Sequence, residues 1–316
     1  MNARIRQAFV LGAGLGMRLR PLTDHLPKPL VPVFHKPLIT FALDHLIAAG
    51  LENFVINTHR LPELFERAFP ENSYRGRAVR LVHEPVLLET GGGIKNAEPY
   101  LSDGSFITYS GDILTDLNLA GLIDEHFERG NDVTLGLRET GLGAVVAFRD
   151  GRVLDIAKRL GLEGAYDYAN IAIWNPLAFD RFPPRQKISF IPVLTDWIRD
   201  GGRVGGVVLN DGRWFNIGSP QQYLELHRTI VRERWKPGYI SDPEWPQRIA
   251  STAKVDPSAR LTGCSAVGAD AQAGSDVSLE DSIVWSGAKI ASRSHLKNCI
   301  VRTGQTAEGD CSDTII

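Results

Sequence analysis

A chain of 316 residues is longer than one ordinary core requires and suits a large domain followed by a smaller one, because domains usually hold about 100–200 residues. Its 43% hydrophobic and 23% charged residues exclude the disordered and fibrous classes of protein. A formal net charge of −2 excludes the bulk positive field on which non-specific nucleic-acid binding relies, so an anionic ligand needs a local site.

From residue 7 to about 235, short apolar runs of β character alternate with helical patterns, which is typical of βα units around a mostly parallel sheet. Helical patterns include residues 38–49, which Gly50 ends, and residues 190–199, for which Ser189 is the expected N-cap. The predicted strands lie at residues 8–11, 54–57, 79–83, 106–109, 133–137, 171–174 and 204–209. We therefore expect a Rossmann-like α/β domain over residues 1–235.

The first predicted strand leads directly into a glycine-rich turn with the sequence Leu11-Gly12-Ala13-Gly14-Leu15-Gly16. Such a turn at the carboxyl end of a strand can bring backbone N–H groups against phosphate oxygens, and Arg18 and Lys28 could add two cations. A dinucleotide-binding turn would need a glycine in place of Met17 and an acidic residue about 20 positions later, and a P-loop would need Gly-Lys-Ser or Gly-Lys-Thr. Neither pattern is present, and a plain tight turn remains the alternative.

After Trp235 the helical periodicity ends, because Pro237-Gly238, Pro243 and Pro246 interrupt regular structure, and residues 236–252 form the expected linker. Aliphatic or small residues then recur every six positions, with a one-residue slip at Asp281-Ser282 that we interpret as a corner. The recurring positions are Val255, Leu261, Val267, Ala273, Leu279, Val284, Ile290 and Leu296. This hexad predicts a short left-handed parallel β-helix over residues 253–316, and its apolar ends predict a homo-oligomer formed through this domain.

Cysteine usage and hydropathy indicate where in the cell the protein is expected. The three cysteines lack the short paired spacings of a zinc site or a redox motif. No stretch approaches the roughly 20 apolar residues of a membrane span, and glycines break the apolar run near the N-terminus. We therefore expect a soluble cytoplasmic protein that has neither nucleic acid nor a membrane as its partner.

As a block, residues 11–23 together with Pro27-Lys28-Pro29 resemble the N-terminal signature of the sugar-1-phosphate nucleotidyltransferases, Gly-x-Gly-Thr-Arg-Leu-x-Pro-Leu-Thr. Met17 departs from the usual Thr or Ser. The resemblance extends over residues 7–235 through three further motifs. These are Leu-Glu-Thr-Gly-Gly-Gly at residues 88–93, Ser-Gly-Asp at 110–112 and Trp-Phe-Asn-Ile-Gly-Ser-Pro at 214–220.

The resemblance implies a transfer of a nucleotidyl group from a nucleoside triphosphate to a sugar 1-phosphate, with Mg²⁺ as cofactor. Arg18 and Lys28 would be the catalytic cations, and Asp112 and Asn216 the metal ligands. Two loops would enclose the base and ribose through Leu11, Gly12, Ala13, Gly14, Gly16, Glu89, Thr90, Gly91 and Gly92. Lys158 and Asn170 are weaker candidates for the sugar phosphate, since Lys158-Arg159 stands where the family often carries Glu-Lys-Pro and is also compatible with surface charge.

Two segments of the chain indicate different nucleobases for the triphosphate substrate. The segments Asn57-Thr58-His59 and 84–94 resemble N-acetylmuramate-1-phosphate uridylyltransferases, whereas the tail resembles mannose-1-phosphate guanylyltransferases, and we favour uridylyl transfer. Two other classes remain: a non-catalytic homologue that senses sugar nucleotides, and a bifunctional acetyltransferase with His295 as its base. The presence of Arg18, Lys28 and Asp112 disfavours the first class. The short repeat region disfavours the second.

Overall fold

The computed structural model describes residues 5–101, 103–141 and 143–316. The chain divides into two compact units. The first unit comprises Met1–Leu15 and Ile39–Trp214, and the second comprises Gly16–Leu38 and Phe215–Ile316. A short segment from the N-terminal region therefore belongs to the same unit as the C-terminal part of the chain.

The α-helices of the described residues span Leu38–Ala48, Pro62–Ala68, Glu89–Ala97, Leu119–Glu128, Phe190–Arg199 and Pro220–Arg232. Shorter 3-10 helices span Met17–Leu19, Lys28–Leu30, Pro70–Asn72, Glu98–Tyr100 and Pro176–Arg181. Both predicted helix signals are confirmed. Ser189 Oγ accepts a hydrogen bond from the backbone N–H of Ile191 at 3.2 Å, and Gly50 follows the first helix with a φ of 93°.

The first unit is built on a sheet that has ten strands within the described ranges. In spatial order they are Val146–Arg149, Arg152–Ile156, Val204–Val208, Val133–Arg138, Asp167–Trp174, Phe106–Ser110, Gln7–Leu11, Asn53–Thr58, Arg77–His83 and Ser73–Tyr74. Most of these strands run in the same direction, and Gln7–Leu11 pairs in parallel with both of its neighbours. The predicted mostly parallel α/β sheet is confirmed. Further short strands span Pro32–Val33, Lys36–Pro37, Ile113–Thr115 and Trp214–Asn216.

One central strand departs from the expected βα pattern. Asp167–Trp174 runs antiparallel to both Phe106–Ser110 and Val133–Arg138. The chain that leads into it contains the antiparallel pair Val146–Arg149 and Arg152–Ile156 instead of a helix. A parallel return would need a helical crossover, and the missing helix therefore explains the reversed direction.

Helices Glu89–Ala97 and Phe190–Arg199 place their apolar faces on the sheet of the first unit. Ile94 of the former and Leu194 of the latter belong to one buried cluster with Phe9 of the sheet. At about 25 cal/mol per Å² of apolar surface, such burial is the main stabilising contribution to this unit. The cluster holds the strand before the glycine-rich turn in a fixed position.

The second unit contains a stack of short parallel strands that form three sheets. The first sheet is Lys254–Val255, Gln272–Ala273, Lys289–Ile290 and Thr306–Ala307; the second is Arg260–Thr262, Ser278–Glu280, His295–Lys297 and Asp310–Ser312; the third is Ala266–Val267, Ile283–Val284 and Ile300–Val301. The predicted inward positions share one apolar cluster, in which Val255 and Leu261 are partly buried and the other six are buried. The predicted parallel β-helix is confirmed.

The one-residue slip lies at a corner, as the sequence predicted, and it recurs in the next coil. Val284 and Val301 each follow the preceding inward leucine by five positions instead of six. Asp281 and Asn298 occupy this corner with φ values of 47° and 55°. Arg228 of helix Pro220–Arg232 donates to the Asp281 carboxylate at 3.1 Å and to Asn298 Oδ1 at 2.7 Å. The shortened corner is therefore a regular feature that joins this helix to the β-helix.

Across the described ranges, none of the helices combines the length and the apolar character needed to cross a membrane.

Candidate functional site

The glycine-rich turn follows strand Gln7–Leu11 at the carboxyl edge of the parallel strands. Gly12 is buried, and a Cβ atom on it would lie 2.6 Å from the backbone oxygen of Asn57. Its N–H donates to Asn57 Oδ1 at 2.7 Å. Gly14 is exposed, and a Cβ atom there would meet nothing among the described residues within 4 Å. Packing therefore requires glycine at position 12, whereas the loop presents open backbone around position 14.

A buried hydrogen-bond network ties this turn to the start of helix Glu89–Ala97. Asn57 Nδ2 donates to Glu84 Oε1 at 2.8 Å, and the backbone N–H of Leu88 donates to Glu84 Oε2 at 3.0 Å. In the sequence, Asn57 and Glu84 belong to segments that carry the family resemblance, and their motifs indicate no individual role. The two residues stand at the ends of adjacent strands, which could have suggested a contact, but Asn57 is 27 residues from Glu84 and 45 residues from Gly12 along the chain.

The Thr-Gly-Gly motif lies in the first turn of helix Glu89–Ala97, and its backbone is already engaged. The N–H groups of Gly91 and Gly92 both donate to the carbonyl oxygen of Ile188, at 2.8 and 3.0 Å. Thr90 Oγ1 accepts from the backbone N–H of Phe190 at 3.1 Å. A Cβ atom on Gly92 would lie 2.2 Å from a backbone oxygen at residue 186. Close backbone packing is thus sufficient to require these glycines, and the contact of residues 89–92 with the nucleotide stays a prediction.

Asp112 lies beside the start of the glycine-rich turn. It follows strand Phe106–Ser110, which pairs with Gln7–Leu11, and the N–H of Gly111 donates to the Leu11 carbonyl oxygen at 2.9 Å. A Cβ atom on Gly111 would lie 2.8 Å from the same oxygen, so glycine permits the close approach. Asp112 itself is half-buried. The structure therefore brings a carboxylate-bearing residue and the predicted phosphate-binding turn to one edge of the sheet, where ligands of such folds bind.

Asn170 and Lys158, the weaker candidates, lie in different settings. Ile171 pairs with Tyr109, so Asn170 lies beside the carboxyl end of strand Phe106–Ser110, with a φ of 61° at a register shift of its own strand. Lys158 is exposed in a turn, and its ammonium pairs with Glu163. Asn170 thus lies near the end of the strand that leads to Asp112, whereas Lys158 has the environment of a surface charge.

Arg138 at the carboxyl end of strand Val133–Arg138 was not identified from the sequence. Its Nε and Nη1 atoms are buried and have no hydrogen-bond partner among the described residues. Burial lowers the pKa of Arg138, and the nearby Asp116 and Asp167 carboxylates oppose that shift. An unpartnered buried donor costs about 1–3 kcal/mol, and a ligand with oxygen acceptors at this edge would remove that cost.

The second unit contains the other predicted site residues. Gly16 has a φ of 62°, and its carbonyl oxygen accepts from Thr23 Oγ1 at 2.9 Å, which closes the segment that carries Arg18. Lys28 opens the next 3-10 helix and is only 8% exposed. Its Nζ donates to Asn216 Oδ1 at 3.3 Å.

Arg18 lies on the same side of the second unit as Asn216. Its guanidinium lies 3.7 Å from the position that a Cβ atom on Gly218 would take. Arg18 is exposed and makes no hydrogen bond or ion pair to another residue of the described ranges. The structure therefore groups Arg18, Lys28 and Asn216 as two cations beside one amide.

The oxygen donors fit a hard cation such as Mg²⁺, provided that a substrate supplies further oxygens. Among the described residues, no three His, Cys, Asp or Glu side chains gather into a metal-binding group. Mg²⁺ is usually held by one or two carboxylates together with substrate phosphates, so the Asp112 carboxylate of the first unit and the Asn216 amide oxygen of the second unit are each donors of a suitable kind. Lys28 already donates to Asn216 Oδ1, so a cation there would compete with the ammonium for the same oxygen.

Comparison with known proteins identifies the family of the chain. Residues 7–233 match the family model described as nucleotidyl transferase. The mannose-1-phosphate guanylyltransferase of Mycobacterium tuberculosis is 30% identical over 291 residues, which cover 90% of this chain and 80% of that protein. The N-acetylmuramate alpha-1-phosphate uridylyltransferase of Caulobacter vibrioides is 34% identical over 245 residues, which cover 73% of this chain and 99% of that protein.

A solved structure supports the fold. The inositol-1-phosphate CTP transferase from T. maritima matches with a TM-score of 0.60 and 23% sequence identity. The match covers 69% of this chain and 91% of that chain. At this identity the likeness bears on the fold alone.

Proposed function

Because the chain belongs to the nucleotidyl transferase family, we propose that it joins a nucleoside triphosphate to a sugar 1-phosphate and releases pyrophosphate. The observation that carries this proposal is the position of Asp112 beside the glycine-rich turn, at the carboxyl edge of the parallel strands. A carboxylate next to exposed loop backbone suits a phosphate together with its counter-ion. The names of both relatives describe a transfer to a sugar 1-phosphate.

In the proposed reaction, a phosphate oxygen of the sugar 1-phosphate forms a bond to the α-phosphorus of the triphosphate. The bond between that phosphorus and the β-phosphate bridging oxygen breaks, and pyrophosphate leaves with the electron pair. Two anions have to approach each other, so catalysis depends on positioning and on compensating charge rather than on a nucleophilic side chain. Arg18 and Lys28 would stabilise charge on the α-phosphate and on the departing pyrophosphate.

Asp112 and Asn216 would hold Mg²⁺, which when bound would offset the repulsion between the two phosphates. This assignment depends on their positions in the family motifs. The backbone of residues 11–16, and residues 89–92 at the start of their helix, would contact the nucleotide. Asn170 and Arg138 are our candidates for the sugar side, because both lie near the carboxyl ends of central strands and Arg138 has two unpartnered donors.

For the finer specificity we propose uridylyl transfer to an amino-sugar 1-phosphate. The uridylyltransferase of Caulobacter vibrioides is 34% identical over 245 residues, whereas the guanylyltransferase is 30% identical over 291 residues. Guanylyl transfer to mannose 1-phosphate is the second candidate, because the guanylyltransferase match covers 90% of this chain and therefore extends into the tail. The base is selected by a few hydrogen bonds in the catalytic part, and we therefore give more weight to the first match.

A substrate matrix tests both levels of the proposal. The purified chain is incubated with Mg²⁺, each of the common nucleoside triphosphates and a panel of sugar 1-phosphates, and released pyrophosphate is measured. We expect the largest kcat/KM with UTP and an amino-sugar 1-phosphate. A maximum with GTP and mannose 1-phosphate would replace the specificity assignment, and pyrophosphate release with no pair would refute the catalytic proposal in favour of a sensing role.

A further inference from the structure

The segment that carries the two proposed catalytic cations belongs to the same compact unit as the β-helix. This unit comprises Gly16–Leu38 and Phe215–Ile316, and Arg18 and Lys28 lie in its shorter part. The shorter part has only two brief 3-10 helices and one two-stranded hairpin of its own. Its conformation therefore has to be maintained by contacts with the longer part.

The hairpin that ends this segment is strained and depends on its neighbours. Pro32–Val33 pairs with Lys36–Pro37 through a turn in which Phe34 and His35 have φ values of 43° and 70°. Such values are unfavourable for residues other than glycine and persist where surrounding contacts impose them. Contacts from the longer part of the unit meet this need.

His227 of helix Pro220–Arg232 provides one of these contacts. Its Nε2 accepts from the backbone N–H of Phe34 at 3.3 Å, so its Nδ1 carries the proton and donates to the Tyr223 carbonyl oxygen at 2.8 Å. Burial lowers the pKa of His227 to about 4, which keeps the ring neutral near pH 7. The Phe34 and His227 rings also lie 4.7 Å apart.

Two hydrogen bonds then lead from the β-helix to the same hairpin. Trp285 Nε1 donates to the Tyr223 hydroxyl oxygen at 3.0 Å, and the Tyr223 hydroxyl donates to the Pro32 carbonyl oxygen at 2.6 Å. Both aromatic side chains are buried. Pro32 lies four residues after Lys28. These two hydrogen bonds therefore connect Trp285 of the β-helix to the backbone that follows the 3-10 helix Lys28–Leu30.

A second contact reaches the beginning of the segment. Arg302 Nη1 donates to the Pro21 carbonyl oxygen at 3.3 Å, three residues after Arg18. The same side chain is anchored because its Nε donates to the Ile316 carbonyl oxygen at 3.1 Å. The backbone N–H of Arg302 donates to that oxygen as well, at 2.9 Å.

We propose that Trp285 and Arg302 of the β-helix are positioning residues for the nucleotidyl transfer, because they hold the backbone around Lys28 and Arg18. This inference rests on the proposed function, in which those two cations act on phosphate charge. Charge stabilisation in a transition state depends on donors that are already in place, and loosening the backbone that carries them lowers the rate. The β-helix is thereby part of the catalytic apparatus.

Hydrogen exchange in the whole chain without nucleotide tests directly whether Trp285 and Arg302 hold this backbone in place. Tyr223→Phe removes only the linking hydroxyl, Trp285→Phe removes the first donor, and Arg302→Met removes the second contact. We expect the amides of Leu30 and Val31 to exchange about tenfold faster in the first two variants, since one lost buried hydrogen bond corresponds to roughly that factor. Ser282→Ala, which removes a buried hydroxyl of the β-helix that accepts from the Cys299 N–H, is the matched control and should leave this exchange within about twofold.

Kinetics supply the second test. We expect Trp285→Phe and Arg302→Met to lower kcat about tenfold with little change in KM, and Arg302→Lys to recover part of the loss by keeping a donor. In a Lys28→Ala background, Trp285→Phe should lower kcat by less than about twofold, because its effect passes through Lys28. Equal losses in both backgrounds, or unchanged exchange at residues 30 and 31, would overturn the inference.

The two proposals can fail separately. If the wild-type chain releases no pyrophosphate, the proposed function fails. The hydrogen-exchange measurement still shows whether Trp285 and Arg302 hold the backbone around Lys28 and Arg18. If turnover is normal for the wild-type chain and falls in Lys28→Ala but not in Trp285→Phe, the proposed function stands and the inference fails.

Discussion

Lys28 is only 8% exposed, and its ammonium donates to the side-chain oxygen of the Asn216 amide at 3.3 Å. An amide satisfies one donor of the ammonium without neutralising its charge. At an exposed position an ammonium would be screened by water, and burial strengthens its attraction for an anion.

At the residue scale, replacement of either proposed catalytic cation should affect turnover far more than folding. Arg18→Ala and Lys28→Ala should each lower kcat by about 10²–10³, the usual effect of losing one preorganised charge contact. Arg20→Ala is the matched control, because Arg20 is exposed two positions from Arg18 and pairs only loosely with Asp24 at 3.4 Å. Measurement of kcat and of the melting temperature distinguishes the two effects, and normal turnover in both variants would contradict the assignment.

The second prediction at this scale concerns Asn216. Asp112 would offer Mg²⁺ one carboxylate, and Asn216 would offer one neutral oxygen. Because the affinity for Mg²⁺ follows the charge of its ligands, we expect the free enzyme to bind the ion weakly and to receive it together with the triphosphate. Asn216→Asp should retain activity and lower the Mg²⁺ concentration needed for half-maximal rate, whereas Asn216→Leu should abolish turnover with little loss of stability.

The turnover rate of the wild-type, Asn216→Asp and Asn216→Leu chains, measured against the concentration of free Mg²⁺, decides between two roles of Asn216. Its hydrogen bond from Lys28 gives it an alternative role, in which it orients the ammonium and does not contact the metal. Superimposable Mg²⁺ curves for the wild-type and Asn216→Asp chains would support that alternative.

At the scale of elements, the glycine-rich turn combines two different requirements for glycine. A Cβ atom on Gly12 would collide with the backbone of Asn57, whereas one on Gly14 would meet only open space. Gly12→Ala should therefore destabilise the fold. Gly14→Ala should leave the melting temperature nearly unchanged and raise the KM for the triphosphate, because the methyl group would stand where a phosphate approaches.

Parallel measurements of melting temperature and KM for these two variants check the role of the turn. Gly238→Ala, another position at which a Cβ atom meets nothing within 4 Å, is the control for a harmless methyl group. An unchanged KM in Gly14→Ala would mean that the backbone at this position does not contact the nucleotide.

At the scale of the whole molecule, the linker and the β-helix together cover apolar groups of their own unit. Removal of residues after Trp235 would delete Trp245, whose Nε1 donates to the Val33 carbonyl oxygen at 3.4 Å, and would also uncover the buried Tyr223. Each large side chain exposed costs about 1.5–3 kcal/mol, so the truncated chain should melt about 10 °C or more below the full chain. We expect its turnover to fall as well, as measured by pyrophosphate release.

The same truncation tests the predicted homo-oligomer. In the β-helix that the truncation removes, the third sheet continues after Ile300–Val301, because Ile316 donates its N–H to the Ile300 carbonyl oxygen and Ile315 bridges to Ile300. If the truncated chain keeps full kcat and melting temperature and differs only in its mass in solution, the β-helix serves assembly alone.

Local patterns determined much of this protein. The glycine-rich turn, the position of Asp112 at a strand end and the six-residue register of the β-helix could be predicted because each depends on neighbours in the chain. The N-cap Ser189 was also predictable, since a hydroxyl next to an apolar helical pattern is a local signal.

Contacts between distant segments decided the rest. The direction of strand Asp167–Trp174 depends on which strands it pairs with, and the N–H groups of Gly91 and Gly92 are taken by a carbonyl at residue 188. The sharing of one compact unit by Lys28 and the β-helix depends on hydrogen bonds such as that between Tyr223 and Pro32, 191 residues apart. Periodicity and short motifs report only on nearby residues, so partners at such separations become known only when the tertiary structure brings them together.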